Sequence, residues 1–326
     1  MTSVHLNVLF VLIDDLRQQL QHGRAQGIGA TDLMRTPHLD ALAADALVAT
    51  HAHVQQALCG PSRASILTGR RPETTGVVEL EDYFRHMGCA HCVTLPEFFQ
   101  QHGYFSFGMG KVFHDGAGGG GDYDAQSWNT DFYNPDDPYC SWIDGSGFNP
   151  ETKSFTCNSW RAVSPAEEAA QPLVDTLTVN AALPRISELT AARTPWFAAV
   201  GIRKPHLPFI VPQRFLDMYP AGSVRLAAND FCPWRLPSAA FVTYEVQSYA
   251  DVRPVWPKHG QATCNATMPD WLARQLRRAY YAAVSHADDE VGRLLKHVRE
   301  VDAWERTVVA VVGDHGWKLG EHGGHF

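Results

Sequence analysis

Residues 308–312 read Val-Val-Ala-Val-Val and run directly into Gly313, Asp314 and His315. Five consecutive apolar residues, four of them β-branched, form a run too short for an ordinary buried helix, and they leave no polar face for water. They therefore predict a strand covered on both sides, and such strands belong to parallel sheets flanked by helices. The rest of the chain repeats the theme. Strands are predicted at 6–13, 104–108, 197–202 and 307–312, with helical patterns between them. Thr36-Pro37 opens a helix carrying Leu39, Leu42, Ala43, Ala46 and Leu47 at helical spacing, and Thr94-Leu-Pro-Glu97 opens a second as a capping box. A long amphipathic helix is predicted from Asp270 to about residue 304. The fold class is α/β.

Length and charge narrow the partners. At roughly 100–200 residues per domain, 326 residues make one large domain or two ordinary ones. With 27 basic against 35 acidic residues the formal charge is -8, the wrong sign for holding nucleic acid by neutralising its phosphates. No nucleic-acid partner is expected, and any anion must meet a local basic pocket. The longest apolar run, Val8 to Ile13, is far short of the roughly 20 residues that cross a bilayer, so no membrane span is expected. Seven cysteines are too few for a disulfide scaffold, although Cys140 and Cys157 could pair in an oxidising compartment. The odd count leaves at least one thiol. Residues 115–171, rich in Gly, Asp, Pro, Trp and Tyr, are expected to form a long irregular loop near a site. The first strand follows Met1 with no secretory leader, which leaves localisation open, and the chain stops at Phe326 soon after the loop opened by Gly313. The expectation is a chain incomplete at its C-terminus.

Polar residues follow the ends of the predicted strands. Asp14 and Asp15 follow the first, Lys111 and His114 the second, Arg203, Lys204 and His206 the third, and Asp314 and His315 the fourth. In an open α/β sheet the ligand crevice lies beyond the carboxyl ends of the strands, so these groups should converge on one composite site. Asp14, Asp15 and Asp314 offer several carboxylate oxygens, which suit a hard cation such as calcium or magnesium better than zinc. An Asp-Asp pair after a strand could also be a helix cap or turn. Arg63, Lys111, His114, Lys204 and His206 would add positive charge and proton donors.

The segment Cys59-Gly-Pro-Ser-Arg-Ala-Ser-Ile-Leu-Thr-Gly69 resembles the signature of the formylglycine-dependent sulfatase family at every fixed position, Cys-x-Pro-Ser-Arg-x-x-x-x-Thr-Gly. The resemblance extends through Asn7 to Leu16, Leu67 to Thr75, Gly110 to His114, Lys204 to Phe209 and Gly313 to Gly323. It implies an alkaline-phosphatase-like fold, with residues 1–326 as the N-terminal catalytic domain and a smaller antiparallel C-terminal subdomain absent. It implies hydrolysis of sulfate esters on a sulfated sugar or glycosaminoglycan-like substrate. It also implies a partner, the formylglycine-generating enzyme, that oxidises Cys59 to an aldehyde hydrated as a geminal diol, and a lysosomal, secretory or periplasmic setting.

Carried over by motif, the resemblance makes Asp14, Asp15, Cys59, Asp314 and His315 the residues of a calcium site. Arg63, Lys111, His114 and His206 would surround the sulfate, with His206 protonating the departing sugar oxygen, and Asp124 and Trp317 are candidate substrate contacts. In a uronate-acting member of the family an arginine follows the Arg-Arg-Pro-x-Thr-Thr run, where this chain has Gly76, so the particular sulfate ester stays open. That member has a lysine shortly after Gly-Glu-His-Gly, where this chain has Gly324, His325 and Phe326. Two other readings remain: a catalytically inactive binding fragment, and a phosphatase or phosphodiesterase of the same superfold.

Overall fold

Four parallel strands, each ending at the same edge, decide where this molecule can place a site. The computed structural model describes residues 5–20, 34–121, 123–141, 148–149, 154–237, 245–256 and 268–323. Gly324, His325 and Phe326 lie outside the described residues, as does part of the 115–171 segment. In chain order the elements are β1 (Asn7–Ile13), α1 (Pro37–Ala44), α2 (Cys59–Thr68), α3 (Pro72–Thr75), α4 (Leu95–Gln101), β2 (Phe105–Gly110), β3 (Phe148–Asn149), β4 (Ser154–Phe155), β5 (Trp160–Val163), α5 (Pro165–Ala170), α6 (Val174–Ala191), β6 (Trp196–Ile202), β7 (Phe209–Pro212), α7 (Gln213–Asp217), α8 (Asp270–Glu300) and β8 (Thr307–Gly313).

The central sheet has the order β2-β6-β1-β8, and all three pairings are parallel. Because side chains alternate across a strand, each strand feeds two cores. Leu9, Val11 and Ile13 of β1 join Ala198, Val200 and Ile202 of β6 beneath α6 and α8. Phe10 and Leu12 join Phe197 and Ala199 on the other face, against Ala64 and Leu67 of α2. Both faces are apolar because both are covered. Truncating one of these, as in Leu12→Ala, would cost about 2–5 kcal/mol. The capping box forms as expected: the Glu97 amide donates to Thr94 Oγ1, and the Thr94 amide donates to Glu97, each at 3.3 Å.

Four expectations need correction. β8 sends Val309 and Val311 into one core and Ala310 and Val312 into the other, but among the described residues it is an edge strand and no residue in it is fully buried. Val308 is 48% exposed. The first helix stops at Ala44 rather than reaching Leu47, which is 97% exposed, because nothing among the described residues packs over that end. The long helix stops at Glu300, and residues 304–306 form a separate 3-10 turn. The 115–171 segment is not wholly irregular: β5 pairs in parallel with β7, and a capped α5 follows. The only antiparallel pairing among the described residues is the short β3–β4 ladder. Cys140 is bonded to Cys157, Cys89 to Cys92, and Cys59 is a free, buried thiol.

Candidate active site

Cys59 is the first residue of the ten-residue α2, at the positive end of the helix dipole. Around its Sγ stand His315 Nε2 at 3.2 Å, Asp14 Oδ1 at 3.6 Å and Lys111 Nζ at 3.8 Å. The sheet explains this convergence. Asp14 and Asp15 leave β1, Lys111 leaves β2, His206 follows β6, and Asp314 and His315 leave β8. Parallel strands in the order β2-β6-β1-β8 deliver all of them to one edge.

Three carboxylates, Asp14, Asp15 and Asp314, each bring an oxygen within 4.8 Å of the others, and Asp15, Cys59 and His315 form a second such group. All three acids are buried. Asp314 Oδ1 accepts from the amides of Asp15 at 2.9 Å and His315 at 2.8 Å, which locks the two strand ends together. Asp15 sits in the left-handed region at φ 59, where a non-glycine residue is strained. Its carboxylate lies 3.0 Å from His315 Nδ1 and 3.8 Å from His206 Nε2. Burial alone would raise the Asp14 carboxyl, but Lys111 and Arg63 outweigh it and hold it well below the usual range. Asp314 goes the other way: burial and Asp14 push it up despite Arg63. Crowded, buried oxygens of this kind have the donor chemistry of a hard divalent cation, whose charge would relieve the repulsion.

Arg63 Nε meets Asp314 Oδ2 at 2.9 Å, Nη2 meets Asp14 Oδ1 at 2.7 Å, and Nη1 donates to the carbonyls of Lys111 and Val112. It braces the acids from behind and contributes its charge, with four of its five N–H groups engaged in these bonds. Lys111 pairs with Asp14 and is held charged by it. Burial, then Asp14, raises the Cys59 thiol well above its ordinary value. A protonated thiol is a poor nucleophile.

His114 and His206 share one arrangement. Each turns Nδ1 to a backbone carbonyl, that of Asp115 at 3.0 Å and that of Leu207 respectively. A carbonyl only accepts, so Nδ1 carries the proton and Nε2 is bare in the neutral ring. Burial, helped by Lys111, pushes His114 down to about 4 and His206 well below its ordinary value. Trp317 lies with its ring 6.3 Å from that of His206 and 6.5 Å from that of His315. Lys204 turns away from the cluster: its Nζ donates to the Pro208 carbonyl at 2.8 Å and lies 3.7 Å from Asp137. Asp124 is placed in a buried network of its own. It accepts from Tyr83, Arg85 and Ser127 and is 1% exposed, so its carboxylate is not presented to a sugar.

Sequence reasoning missed Asp175, whose buried carboxylate accepts the amides of Arg203 at 2.6 Å and Lys204 at 2.9 Å and so fixes the turn that leads to His206. Nothing local marks it beyond an acid in the first turn of α6. It also missed Arg85, which donates to Asp124 and to the carbonyls of Ala90 and Cys92. The Cys89–Cys92 bridge was there to be read in the Cys-x-x-Cys spacing.

A layered parallel sheet thus gathers carboxylates, a lysine, histidines and a cysteine at the start of a helix along one edge. The Sulfatase family model matches residues 6–326, and the chain belongs to the sulfatase family. Human (Homo sapiens) iduronate 2-sulfatase is 33% identical over 99% of this chain and 56% of its own length. A sulfatase of Formosa agariphila is 30% identical over 97% of this chain and 60% of its own length. The chain thus spans little more than half the length of the curated relatives it matches. The fold is alkaline-phosphatase-like. It matches a solved structure in complex with D-glucosamine-2-N,6-O-disulfate (TM-score 0.63, 18% identity, 99% of this chain and 68% of that one). It also matches the phosphonate monoester hydrolase of Agrobacterium radiobacter (TM-score 0.63, 19% identity, 98% and 64%). No helix among the described residues is long and apolar enough to cross a membrane.

Proposed function

We propose that this chain carries the active site of a sulfuric ester hydrolase acting on a sulfated sugar, with Cys59 converted to formylglycine and calcium held by Asp14, Asp15, residue 59, Asp314 and His315. The observation that carries the reading is the position of Cys59. It lies inside a complete family signature, at a helix start, within 4 Å of Asp14, Lys111 and His315. The three buried carboxylates support a hard cation. When bound, the cation would supply positive charge that polarises the sulfate and the hydroxyl groups of residue 59.

The chain's own residues then divide the work. Lys111 and the N-terminus of α2 bind the anion. Arg63 keeps Asp14 and Asp314 oriented so that neither rotates away as charge builds. His114 and His206 use Nε2, because Nδ1 is committed to a carbonyl in both. Burial disfavours their imidazolium forms, and the negative charge of an arriving sulfate ester opposes that effect. Nε2 of His206 therefore becomes a donor beside substrate and hands its proton to the sugar oxygen as it leaves. Trp317, half-buried beside His206, offers an aromatic face to the sugar ring. The Cys89–Cys92 and Cys140–Cys157 disulfides support an oxidising setting such as a lysosome, secretory route or periplasm, where a formylglycine-generating enzyme would have acted on Cys59.

Mass spectrometry of the Cys59 peptide tests the modification, since thiol to aldehyde lowers the mass by about 18 Da. Sulfate release from an aryl sulfate tests the function: the calcium-loaded chain should release sulfate, and Cys59→Ala should not. Equal release by both proteins would overturn the assignment. Sulfate binding without release, with an unmodified thiol, would favour a binding role instead.

A further inference from the structure

We propose that Arg203 is a positioning residue that couples the loop carrying His114 to the turn carrying His206. This inference rests on the sulfatase reading of the site. The two segments come together because β2 and β6 end unusually close to one another. A Cβ on Gly201 would fall 2.2 Å from the Lys111 carbonyl group, and one on Gly110, which has φ +72, would fall 2.1 Å from the Gly201 oxygen. Only paired glycines allow that approach. It lays the residues after one strand alongside those after the other.

The backbone of Arg203 is then fixed from behind. Asp175 accepts the Arg203 and Lys204 amides, and the Arg203 carbonyl accepts the His206 amide at 2.9 Å. Its side chain, on a residue only 6% exposed, reaches the opposite loop. Nη1 meets Asp115 Oδ2 at 2.7 Å, Nη2 meets Asn134 Oδ1 at 3.3 Å, and Asn134 Nδ2 closes the ring on Asp115 Oδ1 at 2.8 Å. Asp115 is the residue whose carbonyl orients the His114 ring. One guanidinium therefore links the turn before His206 to the peptide that aims His114.

Among the described residues Arg203 Nε is buried without a partner. A lost hydrogen bond of that kind is unfavourable, so the side chain keeps this reach at a local cost. Coupled placement matters because one histidine must meet the sulfate while the other meets the leaving oxygen, and misplacement by an ångström can cost orders of magnitude in rate.

The test reads the ring nitrogen resonances of His114 and His206 by NMR in the full chain near neutral pH. Asp115→Asn should move the His206 signals, although Asp115 lies on the other loop, and the same change in an Arg203→Met background should leave them in place. If Arg203→Met does not fold, Arg203→Lys serves, since it keeps the charge and loses the planar fork. His206 signals that ignore Asp115→Asn, or that move equally with and without Arg203, would overturn the proposal. Turnover gives a second reading: Arg203→Lys should lower kcat about tenfold with KM changed less than about threefold, and an unchanged kcat would also overturn it. Failure of the unaltered chain to release sulfate counts against the sulfatase reading alone, because the resonance experiment still decides the coupling.

Discussion

His286 lies midway along α8, fully buried, with its ring 5.3 Å from that of Phe215. Neither ring nitrogen has a hydrogen-bond partner among the described residues. Burial pushes the imidazole down to about 3, and the charges that face it, Arg214, Lys204 and Arg293, are all positive and push the same way. The folded state therefore holds His286 neutral, while the unfolded chain takes up a proton near pH 6.5. Because the folded value is the lower one, stability is fully present above pH 6.5 and is lost as pH falls from there towards 3. At about 1.4 kcal/mol per unit, the loss is about 2 kcal/mol at pH 5 and approaches about 5 kcal/mol near pH 3. His286→Leu removes the titrating group, along with two buried unsatisfied nitrogens, at similar volume. The variant should be at least as stable as the parent at pH 7. Urea unfolding at pH 7 and pH 5 measures both proteins, and between those values the parent should lose about 2 kcal/mol more than the variant. Equal losses would refute the reasoning, because His286 would then titrate alike in both states.

Calcium should raise the melting temperature of the chain and a chelator should reverse the shift, with about 2.7 kcal/mol expected at a hundred times the dissociation constant; identical midpoints would mean that the carboxylates of β1 and β8 hold no ion. Asp124→Ala should destabilise by about 1–3 kcal/mol, because it removes the acceptor shared by the Tyr83 and Ser127 hydroxyls and one of the two carboxylates paired with Arg85, and should leave sulfate-ester affinity unchanged; a stable variant with weakened affinity would restore Asp124 as a substrate contact. The outer edge of β8, unpaired among the described residues and with Val308 half-exposed, should bind hydrophobic dye and promote self-association, and Val308→Lys should reduce both. Sedimentation showing a dye-free monomer for the unaltered chain would contradict this.

Much of the architecture was legible because parallel strands are buried on both faces and so stand out as short apolar runs. The four strand ends were legible for the same reason: once the strands are parallel, the polar residues after Ile13, Gly110, Ile202 and Gly313 have to share an edge. What could not be read depended on tertiary surroundings. β8 has the composition of an interior strand, and only the sheet order makes it an edge. β5, with the four residues Trp160–Val163, is too short to show a period and exists because β7 offers it a partner. The orientation of a carboxylate is equally silent in sequence. Asp115, Asp124 and Asp175 look alike there, yet one is bridged to Arg203, one is sealed around Arg85, and one caps a turn.

β8 also carries a kinetic consequence. Among the described residues, Asp314 and His315 ride on a strand with one neighbour and only partly buried side chains, and loosely held strands open more readily in native-state exchange. Whenever β8 frays from β1, the grip of Asp314 Oδ1 on the amides of Asp15 and His315 loosens, and two of the five residues proposed to hold a cation leave together. On the proposed reading, the lifetime of a bound ion would be limited by how often this strand peels, and the ion would in turn act as the latch that keeps it down.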